Sequence, residues 1–168
     1  MLEVATINSP VGRLAIAAHD RRVCALWFGT EPQVRALVGR WFPGEKVSAG
    51  RDPGGAVTAL GAYFSGDLRA LDGVEVELHG TPFQQRVWRQ LLTVPAGTTA
   101  TYAQIARAVG APNAVRAVGA ANGATPVSLI GPCHRIIGSN GNLTGYGGGL
   151  DRKRWLLAHE SPARQLSF

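Results

Sequence analysis

Three short apolar stretches open the chain. Glu3 to Ile7, Arg13 to Ala18 and Arg22 to Phe28 are separated by the turn-prone Asn8-Ser9-Pro10-Val11-Gly12 and His19-Asp20-Arg21, which predicts three β-strands. Two helical stretches follow at about 31–41 and 56–64, with a Gly- and Pro-rich loop between them at 43–55. Val74 to Leu78 reads as one more strand, and 65–73 as a domain border. At Thr81-Pro82 the character changes: a hydroxyl residue at the cap and proline in the first turn start a helix well. Phe83, Val87 and Leu91, with Trp88 and Leu92, then recur at three- and four-residue spacing along one apolar face until Pro95-Ala96-Gly97. Tyr102 to Val109 and Ala114 to Asn122 predict two shorter helices across the tight turn Gly110-Ala111-Pro112-Asn113, a helix-turn-helix candidate. The predicted class is α/β of the α+β kind. A small N-terminal β-rich domain with flanking helices (1–75) is expected to pack on a C-terminal helical domain (76–168) that contains the helix-turn-helix.

The last of these helices carries almost no long polar side chain. A helix that reads base edges in the major groove needs Arg, Asn or Gln on its exposed face. Ala114-Val115-Arg116-Ala117-Val118-Gly119-Ala120-Ala121 offers a smooth surface and a single Arg. That surface suits close approach to a groove without sequence readout, and it suits tight packing in a core equally well.

Charge changes the picture when it is divided. The net charge is +6. Up to Glu75, eight basic residues balance eight acidic ones; from Val76 onward nine basic residues face only Glu77, Asp151 and Glu160, so 9 − 3 gives the whole excess of +6. A one-sided basic excess attracts and steers polyanions. With 45% hydrophobic and 17% charged residues, the 168-residue chain can bury a core. No apolar run approaches the roughly 20 residues of a membrane helix, and the start Met1-Leu2-Glu3-Val4 lacks a signal-peptide pattern. Cys24 and Cys133 form neither a metal-site nor a disulfide spacing. A cytoplasmic, reduced protein without a membrane partner is expected. Cys24, within the third strand, is expected to be a buried inert thiol.

Cys133 stands in different company. The run Pro126-Val127-Ser128-Leu129-Ile130-Gly131-Pro132 leads, strand-like, into Cys133-His134-Arg135. A thiol attacks as thiolate, and nearby positive charge and an adjacent base both favour that form. An acid such as Glu160 could orient the histidine, as the third member of a triad does. A structural cysteine beside a surface His-Arg pair would give the same letters.

Pro132-Cys133-His134-Arg135-Ile136 resembles the active-site motif of the O6-alkylguanine-DNA alkyltransferases, or methylated-DNA–protein-cysteine methyltransferases. The resemblance runs in order from Thr81-Pro82-Phe83-Gln84 through Arg116-Ala117-Val118-Gly119-Ala120 and the cysteine motif. It continues through Leu143-Thr144-Gly145-Tyr146-Gly147-Gly148-Gly149 to Arg152-Lys153-Arg154-Trp155-Leu156-Leu157-Ala158-His159-Glu160. It implies that Cys133 takes an alkyl group irreversibly from O6-alkylguanine in double-stranded DNA, and leaves O4-alkylthymine open. His134 would be the base on the thiol, through a water, and Glu160 would hold the imidazole; no metal or organic cofactor is implied. The nucleotide must be flipped out to be reached. Tyr102 would lie near the flipped nucleotide, Arg116 in the gap left in the stack, and Ala117, Gly119 and Ala120 in the minor groove, with Arg135 also facing DNA. Ile136, Tyr146, Gly147 and Gly148, with Tyr102, would wall the alkylguanine pocket. His159 would be structural. A monomer is expected, with clustering along DNA left open, in the cytoplasm and at the nucleoid when DNA is bound.

Two positions depart from the family pattern. Thr125-Pro126 stands where the family usually has an Asn-Pro hinge, so the amide's second donor is lost. Gly131 replaces a branched apolar residue before Pro-Cys and adds backbone freedom beside the nucleophile. These departures predict a somewhat looser site with retained activity. Three other readings stay open: a lesion-recognition protein without transfer, a regulatory helix-turn-helix protein, and a Cys-His-Glu hydrolase.

Overall fold

The structure, a computed structural model, describes residues 1–141, 143 and 145–161. Thr144 of the glycine-rich run and the C-terminal residues from 162 on, Arg164 among them, lie outside these. The described chain forms two compact units. One comprises Met1–His79 and Pro126–Ile130; the other runs from Gly80 to Thr125 and resumes at Gly131. The expected border at 75/76 thus stands beside an observed one at 79/80, and the chain crosses between units again at Thr125–Pro126 and Ile130–Gly131.

The first unit is built on a hairpin pair. Strands β1 (Leu2–Ser9), β2 (Gly12–His19) and β3 (Arg22–Phe28) are antiparallel neighbours. The β2–β3 turn places Asp20 and Arg21 at φ of 46° and 71°, the double left-handed geometry whose twist suits two-residue hairpins. Helix α1 (Glu31–Trp41) starts at Thr30, whose backbone N–H donates to the Gln33 side chain at 2.9 Å. Strand β4 (Val47–Ala49) then adds parallel to β1, giving the order β3-β2-β1-β4. Helix α2 (Ala56–Phe64) follows a short 3₁₀ turn at Pro53–Gly55. Alternation along β2 divides the core. Ala15 and Ala17 join Leu2, Val4, Cys24 and Ala25 against Val34, Leu37 and Val38 of α1, while the fully buried Leu14 and Ile16 point the other way.

Two strand expectations need correction. Among the described residues, Val74–Leu78 makes only the single bridge Val23–Val76, and the run from Pro126 makes only Leu26–Val127. The reason in the second case is local: Leu129 sits at φ 72°, where a side chain turns the chain out of an extended ladder. Gly54, at φ 61°, marks a close approach: an added Cβ would lie 2.8 Å from Val23 Cγ2 and 3.1 Å from the Arg21 carbonyl. Gly54→Ala is therefore expected to lower stability by about 1–3 kcal/mol; an unchanged denaturant midpoint would contradict this.

The second unit is mostly helical. Helix α3 (Pro82–Leu91) is capped by Thr81, whose hydroxyl accepts from Gln84 N at 3.1 Å while Gln84 Oε1 accepts from Thr81 N at 2.9 Å. The same reciprocal box recurs at Thr101 and Gln104, where strand β5 (Ala100–Thr101) passes into helix α4 (Tyr102–Ala108). After Gly110, at φ 77°, helix α5 (Val115–Gly123) completes the helix-turn-helix. Trp88 of α3 reaches it: Nε1 donates to the Ala121 carbonyl at 2.7 Å. A short strand β6 (Ile136–Ile137) pairs with β5, and helix α6 (Leu150–Glu160) ends the described chain. The mixed α+β class is as expected. No helix among the described residues is long and apolar enough to cross a membrane.

Candidate active site

Cys133, His134 and Arg135 form one 3₁₀ turn directly after Pro132. The Pro132 carbonyl accepts from Arg135 N at 2.9 Å, and Cys133 N donates to the Gly131 carbonyl at 2.7 Å. With three residues per turn, successive side chains diverge by about 120°. All three are nevertheless buried, with 4%, 0% and 5% exposure.

Glu160, the last residue of α6 and 1% exposed, ties two of them together. Its Oε2 lies 2.8 Å from His134 Nε2. Arg135 Nε donates to Oε1 at 2.7 Å and one terminal nitrogen donates to Oε2 at 2.9 Å. Burial alone would push this carboxyl up; the bonds to His134 and Arg135 outweigh it and hold the group well below the usual carboxylate range. Burial is the main cause that pushes His134 down, Glu160 opposes it, and the charges of Arg135 and Lys153 add to the lowering. Because a carboxylate can only accept, a neutral imidazole carries its proton on Nε2. The lone pair is then on Nδ1, which is buried and has no hydrogen-bond partner among the described residues.

Arg135 corrects an expectation. It was placed facing DNA, but its guanidinium is spent inside the protein, with the remaining terminal nitrogen donating to the Val94 carbonyl at 2.7 Å. Lys153 is a site neighbour that the sequence reading did not single out. It is fully buried, and Nζ donates to the Ile136 carbonyl at 2.6 Å. Burial lowers its pKa while Cys133 opposes the shift, which places the ammonium within electrostatic reach of the thiol. The sequence carried no signal for it: 153, 156 and 160 share the buried face of α6, but Lys153 and Glu160 read as polar positions.

Asn122 was also missed. It is 3% exposed, and Nδ2 donates to the Cys133 carbonyl at 3.2 Å, joining the end of α5 to the backbone of Cys133. Thr125 is buried, and its hydroxyl donates to the Asn122 carbonyl at 2.7 Å, closing the last turn of α5. Pro126 is buried as well and belongs to the first unit.

The remaining site residues cluster on the outer face of α5. Arg116, Ala117 and Ala120 are exposed and Gly119 is half-buried, whereas Val118, Ala121 and Asn122 face inward. The small-residue stripe is therefore surface, not core. Half-buried Tyr102 lies beside it: a Cβ on Gly119 would stand 3.9 Å from the tyrosine ring. In the glycine loop, a Cβ on Gly147 would stand 3.5 Å from the Gly123 carbonyl, so the loop passes the end of α5. Gly149 N donates to the Tyr146 carbonyl at 2.9 Å, and Gly148 accepts from Arg152 at 3.2 Å. Ile136 is fully buried. His159 stacks on Trp155 with ring centroids 4.9 Å apart. Among the described residues no group of three or more His, Cys, Asp and Glu could hold a metal ion.

Comparison with known families decides the assignment. Residues 82–162 match the model of the 6-O-methylguanine DNA methyltransferase DNA-binding domain, and residues 2–78 match that of the ribonuclease-like domain of the same proteins. The chain belongs to the 6-O-methylguanine DNA methyltransferase family. It is 47% identical over 171 residues to a methylated-DNA–protein-cysteine methyltransferase of Mycolicibacterium paratuberculosis, covering 100% of this chain and 99% of the relative. The crystal structure of the Mycobacterium tuberculosis O6-methylguanine methyltransferase is similar at 44% identity and a TM-score of 0.78, covering 95% of this chain and 93% of that one. A Mycobacterium tuberculosis OGT solved in complex with DNA is similar at 43% identity and a TM-score of 0.75, covering 97% of each chain. In this methyltransferase-family chain the buried turn at Cys133, the carboxylate of Glu160 and the smooth face of α5 all lie in the unit that matches the DNA-binding domain.

Proposed function

We propose that this protein repairs O6-alkylated guanine in double-stranded DNA by moving the alkyl group onto Cys133, once per molecule. The observation that carries the residue assignment is the buried His134–Glu160 pair beside Cys133, with Nδ1 of the imidazole left as an acceptor. His134 takes the thiol proton, through a water, and Glu160 stabilises the imidazolium that forms. The thiolate attacks the alkyl carbon in line with the bond to O6; the S–C bond forms as the C–O bond breaks. Guanine departs as its O6 anion and regains a proton. The thioether does not revert, so the reaction ends with one alkylated protein and one restored base.

Reaching O6 requires the nucleotide to leave the stack. The exposed stripe of Ala117, Gly119 and Ala120 supports a minor-groove approach in which the backbone comes close and base identity does not matter. Arg116 is exposed on the same face and is read as filling the gap in the stack. Tyr102, beside Gly119, is read as steering the displaced nucleotide. Tyr146, Gly147, Gly148 and Ile136 are read as walls of the base pocket. The protein acts as a monomer in this scheme, in the cytoplasm.

The test is intact mass after mixing with one equivalent of a duplex that carries a single O6-methylguanine. A gain of about 14 Da, the mass of one methylene as methyl replaces hydrogen on a thiol, mapped to Cys133 supports the proposal. Binding to the lesion duplex without a mass gain would instead make this a recognition protein. Repeated turnover of an ester or amide would make it a hydrolase.

The departures at 125 and 131 make a second expectation. Thr125→Asn with Gly131→Val restores the family pattern and removes the backbone freedom that glycine adds beside Cys133. The double variant is expected to transfer methyl faster than the unaltered protein. Equal single-turnover rates would remove the idea that these positions loosen the site.

A further inference from the structure

We infer that Arg135 is a positioning residue for the transfer step: it holds Glu160 in line with His134 and keeps the imidazole an uncharged acceptor toward Cys133. The inference rests on the reading above, in which Cys133 is the acceptor and His134 its base.

The geometry is that of a clamp. Two nitrogens of the guanidinium take both oxygens of Glu160, at 2.7 and 2.9 Å, a planar two-point match that fixes the carboxylate's rotation. The third nitrogen is anchored at 2.7 Å to the carbonyl of Val94, just beyond α3. Glu160 is thus held from a part of the fold other than its own helix. Oε2 is shared: it faces His134 Nε2 and also accepts from Arg135.

That sharing decides what His134 can do. The charged and titratable groups around it are Glu160 and Lys153 from α6, with Cys133 and Arg135 from its own turn. Only Glu160 draws a second proton onto the ring. Burial opposes it, and so do the two cations, Arg135 before Lys153. Without the guanidinium, the stronger of the two opposing cations is gone, and the buried carboxylate draws a second proton onto the imidazole more readily. Nδ1 would then carry a proton and could not take one from the thiol. A lysine could supply the charge but not the two-point hold.

The experiment follows carboxamidomethylation of Cys133 by iodoacetamide against pH, read by intact mass and peptide mapping. It uses the unaltered protein, Arg135→Gln and Arg135→Lys. Folded fraction is measured in parallel by circular dichroism. In Arg135→Gln the acid limb of the rate profile is expected to move to higher pH, with the neutral rate falling at least several-fold. Arg135→Lys is expected to keep the limb and lose rate. A limb that stays in place in Arg135→Gln, with rate falling only as the folded fraction falls, would overturn the inference. Should Arg135→Gln not fold, ¹⁵N-histidine spectra of the unaltered protein decide. A neutral His134 with its proton on Nε2 at about pH 6.5, where an ordinary histidine is half charged, agrees; a charged ring there does not. The lesion duplex separates the two layers. An unaltered chain that takes no methyl while its thiol profile responds to Arg135 sinks the acceptor reading alone. One that takes methyl with an unmoved limb sinks the clamp alone.

Discussion

Cys133→Ala is expected to abolish methyl transfer completely while leaving affinity for the lesion duplex unchanged. The sulfur is the only atom lost that forms a bond in the reaction, and no neighbouring group can replace it. The proposed DNA surface on α5 does not include the cysteine side chain. At 4% exposure, removal of one sulfur leaves a small void that costs about 1 kcal/mol, too little to unfold the unit. The second thiol offers no rescue. Cys24 is fully buried in the sheet, with Sγ 3.6 Å from the Ala17 carbonyl that accepts from it. Burial above all, with the charge of Glu77, pushes that thiol up to about 12, so almost none is thiolate near neutral pH. Intact mass of the variant should not change with lesion duplex, and a gel-shift titration should overlay that of the unaltered protein. A mass gain mapped to Cys24 would contradict both the acceptor assignment and this account of the buried thiol.

Local chemistry made most of the fold legible. Thr81 announces its helix because the cap is complete within four residues, and the boundaries expected for α1 and α2 match those observed. Long-range pairing left no such mark. Strand β4 has three residues inside a loop rich in Gly and Pro, and it exists only because β1 lies beside it. Val74–Leu78 fails the other way: its apolar residues are only half-buried, and it holds to Val23 by one bridge, with backbone bonds from Val23 N to Glu75 O and from Glu77 N to Val23 O. Helix α6 was hidden by its own composition, since Lys153 and Glu160 occupy its buried stripe and read as polar.

The site divides in the same way. Cys133, His134 and Glu160 were legible through family resemblance, because 26 positions separate the imidazole from its carboxylate and periodicity cannot see across them. Arg135 was misread for a physical reason: an arginine beside a nucleophile in a basic half reads as a DNA contact until its partners, 25 and 41 positions away, are known. The smooth face of α5 could belong to surface or core by sequence alone, and its exposure settles which. The departures at Thr125 and Gly131 fall at the two points where the chain passes between units, which neither composition nor spacing could have indicated.

Glu160→Gln is the second large effect, and it should appear in both rate and stability. The substitution keeps the volume and removes the charge. The amide has one acceptor for three donors, so Arg135 keeps an uncompensated buried cation and His134 loses its orienting partner. Breaking a buried pair in this way costs about 3–5 kcal/mol, and loss of a positioned base slows transfer by about 10²–10⁴-fold. The stability cost carries a pH signature. A carboxyl held low in the folded state contributes stability that is fully present above its unfolded value, about 4.3, and is lost as pH falls. His134, whose folded pKa is lowered, makes the unaltered protein lose stability as pH falls below about 6.5. Glu160→Gln should therefore be much less stable than the unaltered protein at pH 7, and the gap should close as pH falls below about 4.3. Urea denaturation at pH 7, 5 and 3.5 measures it. A gap that is the same at all three values would mean that Glu160 acts through shape rather than charge, and the electrostatic account of the site would fall with it.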